Sequence, residues 1–175
     1  MKNKGFTMLE LMVSLGISSL VVVLIFSFFT NDYRLYKSVR NDMELQFHAN
    51  YILNFMTEKV IDSGSMSLVK NYTDIYSMTT VRSTGREYPV NKVSFKYGSE
   101  SENYVFHIAD SIVRYGKGVK DMTPTVELGN YVKGMYLYVL RDESFQNTKV
   151  VKLKIVMEKG GQQYETSQTV YMRNN

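Results

Sequence analysis

The chain has no cysteine and no tryptophan, and only two prolines and two histidines. Without cysteine there is no disulfide, no thiolate metal site and no cysteine nucleophile. A domain of this size must then hold together by packing alone. The two histidines, His48 and His107, are far apart in sequence, and neither has a partner histidine at metal-ligand spacing. No Gly-x-Ser-x-Gly elbow, phosphate-binding loop or EF-hand loop is present. Asp110, Asp121 and Glu127 are the carboxylates a cation site would draw on, but their spacing matches no such loop. No metal, cofactor or catalytic residue is expected, and an enzyme is not the expected class. Net charge is only +4, and no basic run is interleaved with aromatics, so nucleic acid is not an expected partner.

What the chain does have is one long apolar run. Residues 6–29 carry a single formal charge, Glu10. As a helix they would be roughly 36 Å long, enough to cross a bilayer core. The polar members are small (Thr7, Ser14, Ser18, Ser19, Ser27), and such hydroxyls bond back to helix carbonyls at little cost in lipid. Ser14 and Ser18 form a small-xxx-small pair, and Gly16 permits close helix approach. A secretory signal peptide is cut after its apolar region, at small residues. Here Phe28, Phe29, Thr30, Asn31 and Asp32 follow the run, and nothing resembles that site. The positive-inside count does not set the orientation, because Arg34, Lys37 and Arg40 beyond the run outnumber Lys2 and Lys4 before it.

No proline or glycine interrupts residues 17–63. Leu45, Ala49, Ile52, Leu53, Met56 and Val60 recur at helical spacing, and Val39, Met43 and Phe47 are read as extending that stripe backwards. The expectation is one helix over 6–61, its second half laying an apolar stripe on a head. The segment 62–65 is expected to stop it. Beyond lie candidate strands: 75–80, 92–97, 104–108, 111–115, 132–141, 151–158 and 164–172. Residues 82–89 and 116–125 read as loops. Gly160-Gly161 reads as a hairpin turn, and Ala109-Asp110 as another tight turn. The alternation in the last three strands indicates an antiparallel sheet with one wet face. The expected class is α+β: a long N-terminal helix packed on an antiparallel β-sheet head.

Lys4-Gly5-Phe6-Thr7-Met8-Leu9-Glu10, placed directly before the apolar run, resembles the type III signal of type IV pilins and type II secretion pseudopilins. The resemblance implies a pilin-like fold and cleavage after Gly5 by a prepilin peptidase. The new N-terminal Phe6 would then be methylated. It also gives Glu10 a partner, the Phe6 amine of a neighbouring subunit, so that two half-buried charges compensate each other and set the stagger between subunits. The implied organisation is a leader over 1–5, a membrane and assembly helix over 6–29, an amphipathic half over 30–61 and a β-rich head over 62–175. The implied partners are other pilins or pseudopilins, the peptidase, an inner-membrane assembly platform and membrane lipid. The implied location is the cytoplasmic membrane in a single pass, then a surface filament.

A narrower resemblance, to W-type minor pilins and J-type minor pseudopilins, rests on residues 47–64, on Leu128-Gly129-Asn130-Tyr131-Val132 and on Val170-Tyr171-Met172-Arg173-Asn174. Ser27 stands where many major pilins carry proline, and no disulfide-bounded loop exists, which favours a minor subunit. Retention of Glu10 argues against the K-type tip pseudopilin. The alternatives are a competence pseudopilin of a DNA-uptake apparatus, a signal-anchored exported binding or enzymatic domain, and a secreted protein cut after about residue 30.

Overall fold

The computed structural model describes residues 7–97 and 102–173. It divides into two compact units, Met1–Arg40 and Asn41–Asn175. One helix, α1 (Met8–Ile61, 54 residues), contributes to both. In the first unit every residue from 7 to 37 is exposed, so nothing among the described residues covers the apolar run. In the second unit α1 buries Leu45, Ala49, Ile52, Leu53, Met56, Thr57 and Val60.

The backward extension of the stripe is corrected by the structure: Val39, Met43 and Phe47 are 48%, 66% and 68% exposed. The reason is helical phase. Steps of four residues drift about 40° each, and Phe47, two residues beyond Leu45, is turned about 200° from it. Phe47 and Met43 therefore face away from the core that Leu45 enters.

The helix ends at Ile61, where its last carbonyls find partners. Ser63 donates its hydroxyl to the Lys59 carbonyl at 2.8 Å, and the Arg173 amide donates to the Ile61 carbonyl at 3.0 Å. The chain does not loop here. It enters β1 (Ser63–Lys70) at once, a strand that its three serines hide from a hydropathy reading. The other strands are β2 (Tyr88–Val90), β3 (Lys92–Tyr97), β4 (Asn103–Ala109), β5 (Ile112–Gly118), β6 (Val126–Gly129), β7 (Val132–Val139), β8 (Val150–Lys159) and β9 (Gln162–Tyr171).

They form two antiparallel sheets, ordered β1-β3-β4-β5-β6 and β2-β7-β8-β9. Both contribute alternate residues to one core with α1, among them Phe95, Phe106, Met135, Leu137, Leu153 and Ile155. Two hairpins have left-handed two-residue turns, as type I′ geometry requires. Asp110 and Ser111 have φ of 55° and 61°, and Gly160 and Gly161 have 59° and 82°.

The expected strand over 75–80 is also corrected. Only Ile75 makes a bridge, to Lys70. The segment is held instead by side chains: the Tyr76 ring meets those of Tyr88 and Phe145, and the Arg82 guanidinium lies 5.1–5.6 Å from all three ring centroids. The expected loops are shorter than read, because β2 takes Tyr88 and Pro89 and β5 runs on to Gly118. Residues 119–125 then fold back over the outer face of the first sheet. A Cβ at Gly116 would lie 2.8 Å from Met122 and 3.1 Å from Pro124.

Candidate assembly and processing segment

Three residues carry the sequence-based expectation. Gly5 and Phe6, the cleavage and methylation positions, lie outside the described residues. Glu10 lies in the first turn of α1. Its carboxylate accepts from the Thr7 amide at 2.9 Å and the Thr7 hydroxyl at 2.8 Å, while the Glu10 amide donates to the Thr7 hydroxyl oxygen at 3.3 Å. This is a reciprocal capping box: a threonine at the N-cap and a glutamate three residues on each satisfy an amide that the helix leaves open. The Thr-x-x-Glu spacing is a recognisable signal, and reading Glu10 only as an assembly charge missed it. Within the chain Glu10 thus has a polar partner, and its carboxylate is fixed at the start of the helix, where the positive end of the helix dipole favours it.

Further along, the small hydroxyls bond back to carbonyls of their own helix. Ser14 donates to the Glu10 carbonyl at 2.7 Å, Ser19 to the Gly16 carbonyl at 2.8 Å, and Thr30 to the Phe26 and Ser27 carbonyls at 3.1 and 2.9 Å. Each removes a bare hydroxyl from the apolar surface. Gly16 has no atom within 4 Å of where a Cβ would sit, so the space beside it belongs to whatever packs there. By length and composition α1 contains a segment apolar enough to cross a membrane, and that segment is wholly uncovered.

In the head, the residues weighed for ligand chemistry are otherwise engaged. Asp121 accepts from Lys92 Nζ at 2.8 Å, Glu127 pairs with Arg114 at 3.3 Å, and Asp110 sits at a hairpin tip, so these carboxylates form no cluster. Among the described residues, no group of three or more His, Asp or Glu side chains is arranged to hold a metal ion. His48 packs edge-on against Phe47 and Tyr131. His107 lies between Lys92 and Arg114 in the sheet register. Burial pushes its pKa below the ordinary 6.5; Lys92, Arg114 and Lys70 push the same way, and Asp121 opposes them.

The outer face of the second sheet is polar. There the Tyr138 hydroxyl donates to Glu87, and Lys154 bridges Glu87 at 3.1 Å and Glu165 at 2.9 Å. Those hydrogen bonds to Glu165 and Glu87 raise the Lys154 pKa, so the ammonium is locked in its charged form. The face is internally neutralised, and it has the ordinary cross-strand pairing of a solvated sheet.

Residues 1–26 match the prokaryotic N-terminal methylation motif. That motif, in front of a long apolar helix, supports membership of the type IV pilin and pseudopilin family and a pilin-like structural role. The fold agrees, with one long N-terminal helix packed on antiparallel sheets. No curated protein and no solved structure matches the chain.

Proposed function

We propose that the chain is a minor type IV pilin or pseudopilin, a structural subunit that takes part in initiation, tip formation or assembly of a pilus or secretion pseudopilus. The observation that carries this is the junction of the methylation motif with an apolar helix that nothing among the described residues covers. Burial of such a surface is worth about 25 cal/mol per Å², so the helix must lie in lipid or against other helices. Before assembly it anchors the chain in the cytoplasmic membrane; afterwards it joins the helical bundle of a surface filament.

A prepilin peptidase removes residues 1–5, Gly5 letting the backbone enter its site. The freed Phe6 amine then answers the Glu10 carboxylate of a neighbouring subunit. Glu10 would exchange its Thr7 contacts for that amine, or share them, because a carboxylate has about four acceptor positions.

The deciding experiment is the N-terminus of the native membrane-derived protein, by intact mass and N-terminal peptide spectrometry. The expected result is a mature chain beginning at Phe6 and methylated. A terminus at Met1 or Lys2, or beyond residue 30, overturns the reading. Blocked processing in Gly5→Val is expected alongside.

A further inference from the structure

On its outer face the first sheet carries a row of basic side chains. The strand register sets Lys70 of β1 opposite Lys92 of β3, Lys92 opposite His107 of β4, and His107 opposite Arg114 of β5. Their sequence neighbours Val69, Val93, Phe106 and Val113 enter the core, so the four basic residues lie on the other face. Strands are about 4.8 Å apart, which makes the row roughly 15 Å long. Like charges directly opposite each other destabilise a sheet, and here three basic pairs stand in one line.

The second sheet is built otherwise. There Lys154 lies between Glu87 and Glu165, and Lys133 meets Glu158. On the first sheet Asp121 meets Lys92 at 2.8 Å and Glu127 meets Arg114 at 3.3 Å, and both carboxylates are more than half exposed. Among the described residues neither Lys70 nor His107 has an ion-pair partner. Lys92 is 7% exposed, and its ammonium donates to the Asp121 carboxylate and the Asp121 carbonyl. A lysine buried in this way holds a positive charge inside the row.

We propose that this row is a binding site for a phosphate group, seated over His107 between Lys92 and Arg114 with Lys70 at its open end. The chemistry of the row selects the ligand. Cross-strand neighbours are about 4.5–5.5 Å apart, close enough for the oxygens of one tetrahedral anion to accept from adjacent groups. The planar fork of Arg114 suits phosphate oxygens. Asp121 sets the choice among tetrahedral anions. Its carboxylate lies in the field of Lys92, Lys70 and His107 and repels an anion that has no proton to offer. Inorganic phosphate keeps a proton at neutral pH and donates it to that carboxylate, as does a singly ionised phosphomonoester, whose second pKa is about 6. Sulfate has none to donate.

The test uses the full chain in a maltoside detergent, which carries no phosphate, with its histidine rings labelled with carbon-13. Burial, Lys92, Arg114 and Lys70 all hold the His107 pKa below the ordinary 6.5, and Asp121 opposes them. A bound anion favours the charged ring. Sodium phosphate should therefore raise the His107 midpoint saturably, by about half a pH unit or more, at constant ionic strength. His48, on α1, is the internal reference. Sodium sulfate should leave His107 unmoved, and Asp121→Asn should admit both anions. Lys70→Gln and Arg114→Gln should each weaken phosphate binding about tenfold with thermal unfolding unchanged. Should Arg114→Gln unfold the head, Lys70→Gln on the outer strand decides alone. Glycerol 3-phosphate is the second probe. Tighter binding than inorganic phosphate supports a site for a phosphate carried on a larger molecule, and weaker binding supports a site for the free ion. No saturable shift, or undiminished binding in the charge-deleted variants, overturns the proposal. An equal shift with sulfate in the unmodified chain overturns it in favour of an unselective cationic surface. None of these readouts depends on the N-terminus, so failure here and failure of the filament reading are separate results.

Discussion

Glu10 has two claims on it: it caps its own helix through Thr7, and the assembly reading gives it the Phe6 amine of a neighbour. The two are separable. Thr7→Val removes the hydroxyl from the capping box and is expected to weaken the helix start by about 1 kcal/mol. It leaves the charge of Glu10 in place, so filament incorporation should stay near wild type. Glu10→Ala removes both, and incorporation, measured by fractionation of sheared filaments, should fall to background with cleavage unaffected. Equal losses in the two variants would make capping the whole of its role. His107 supplies a pH prediction of the opposite kind. Its folded pKa lies below the ordinary 6.5, so the unfolded chain takes up the proton first. The stability this histidine contributes is complete above that value and is lost as pH falls through the folded pKa. Lys70, Lys92 and Arg114 face it as cations and Asp121 as the one carboxylate. Thermal unfolding of His107→Gln should depend less on pH below about 6.5 than that of the wild type.

At the scale of elements, the seat of α1 on the first sheet is a close contact that can be tested directly. A Cβ at Gly129 of β6 would lie 2.9 Å from Ile52 Cδ1 and 3.1 Å from His48 Nδ1. Gly129→Ala should destabilise the head by about 1–3 kcal/mol through overpacking. Ile52→Ala should cost about 2–5 kcal/mol through the cavity it leaves. Both are read by chemical denaturation. Gly16 gives the contrasting case: with open space around it, Gly16→Leu should leave helix content unchanged, and any loss of assembly then reports on a neighbouring helix.

These elements also show what the sequence makes legible. The core stripe from Leu45 to Val60 was readable because 3.6-residue periodicity is strong over four turns, and β8 because its alternation is regular. Phe47 and Met43 were misplaced because spacing by four alone ignores phase. β1 was unreadable since Ser63, Gly64, Ser65 and Ser67 break up its apolar residues, and it is the pairing with β3 that makes the segment a strand. At the candidate site the motif around Gly5 and Glu10 was plain, whereas the Thr7 partnership lay in a second pattern over the same residues.

For the whole molecule, the N-terminal motif and the head are physically independent arguments. The motif speaks to processing and anchoring, and the head speaks to what the subunit presents. Deleting residues 1–26 should abolish membrane fractionation while leaving the buried cluster from Leu45 to Met172 intact, since none of its members lies in that segment. Near-ultraviolet circular dichroism and fractionation read the two outcomes in one preparation.

The tie between Arg173 and Ile61 has a consequence for the order of events during biogenesis. The head's earliest element, α1, and its last, β9, share a core through Val170 and Met172, and the chain leaving β9 closes the end of the helix. Contacts of such long sequence separation form late and slowly. Until the residues that follow β9 are in place, the head lacks the contact that closes the end of its helix, so its fold is completed only once the whole chain has been made.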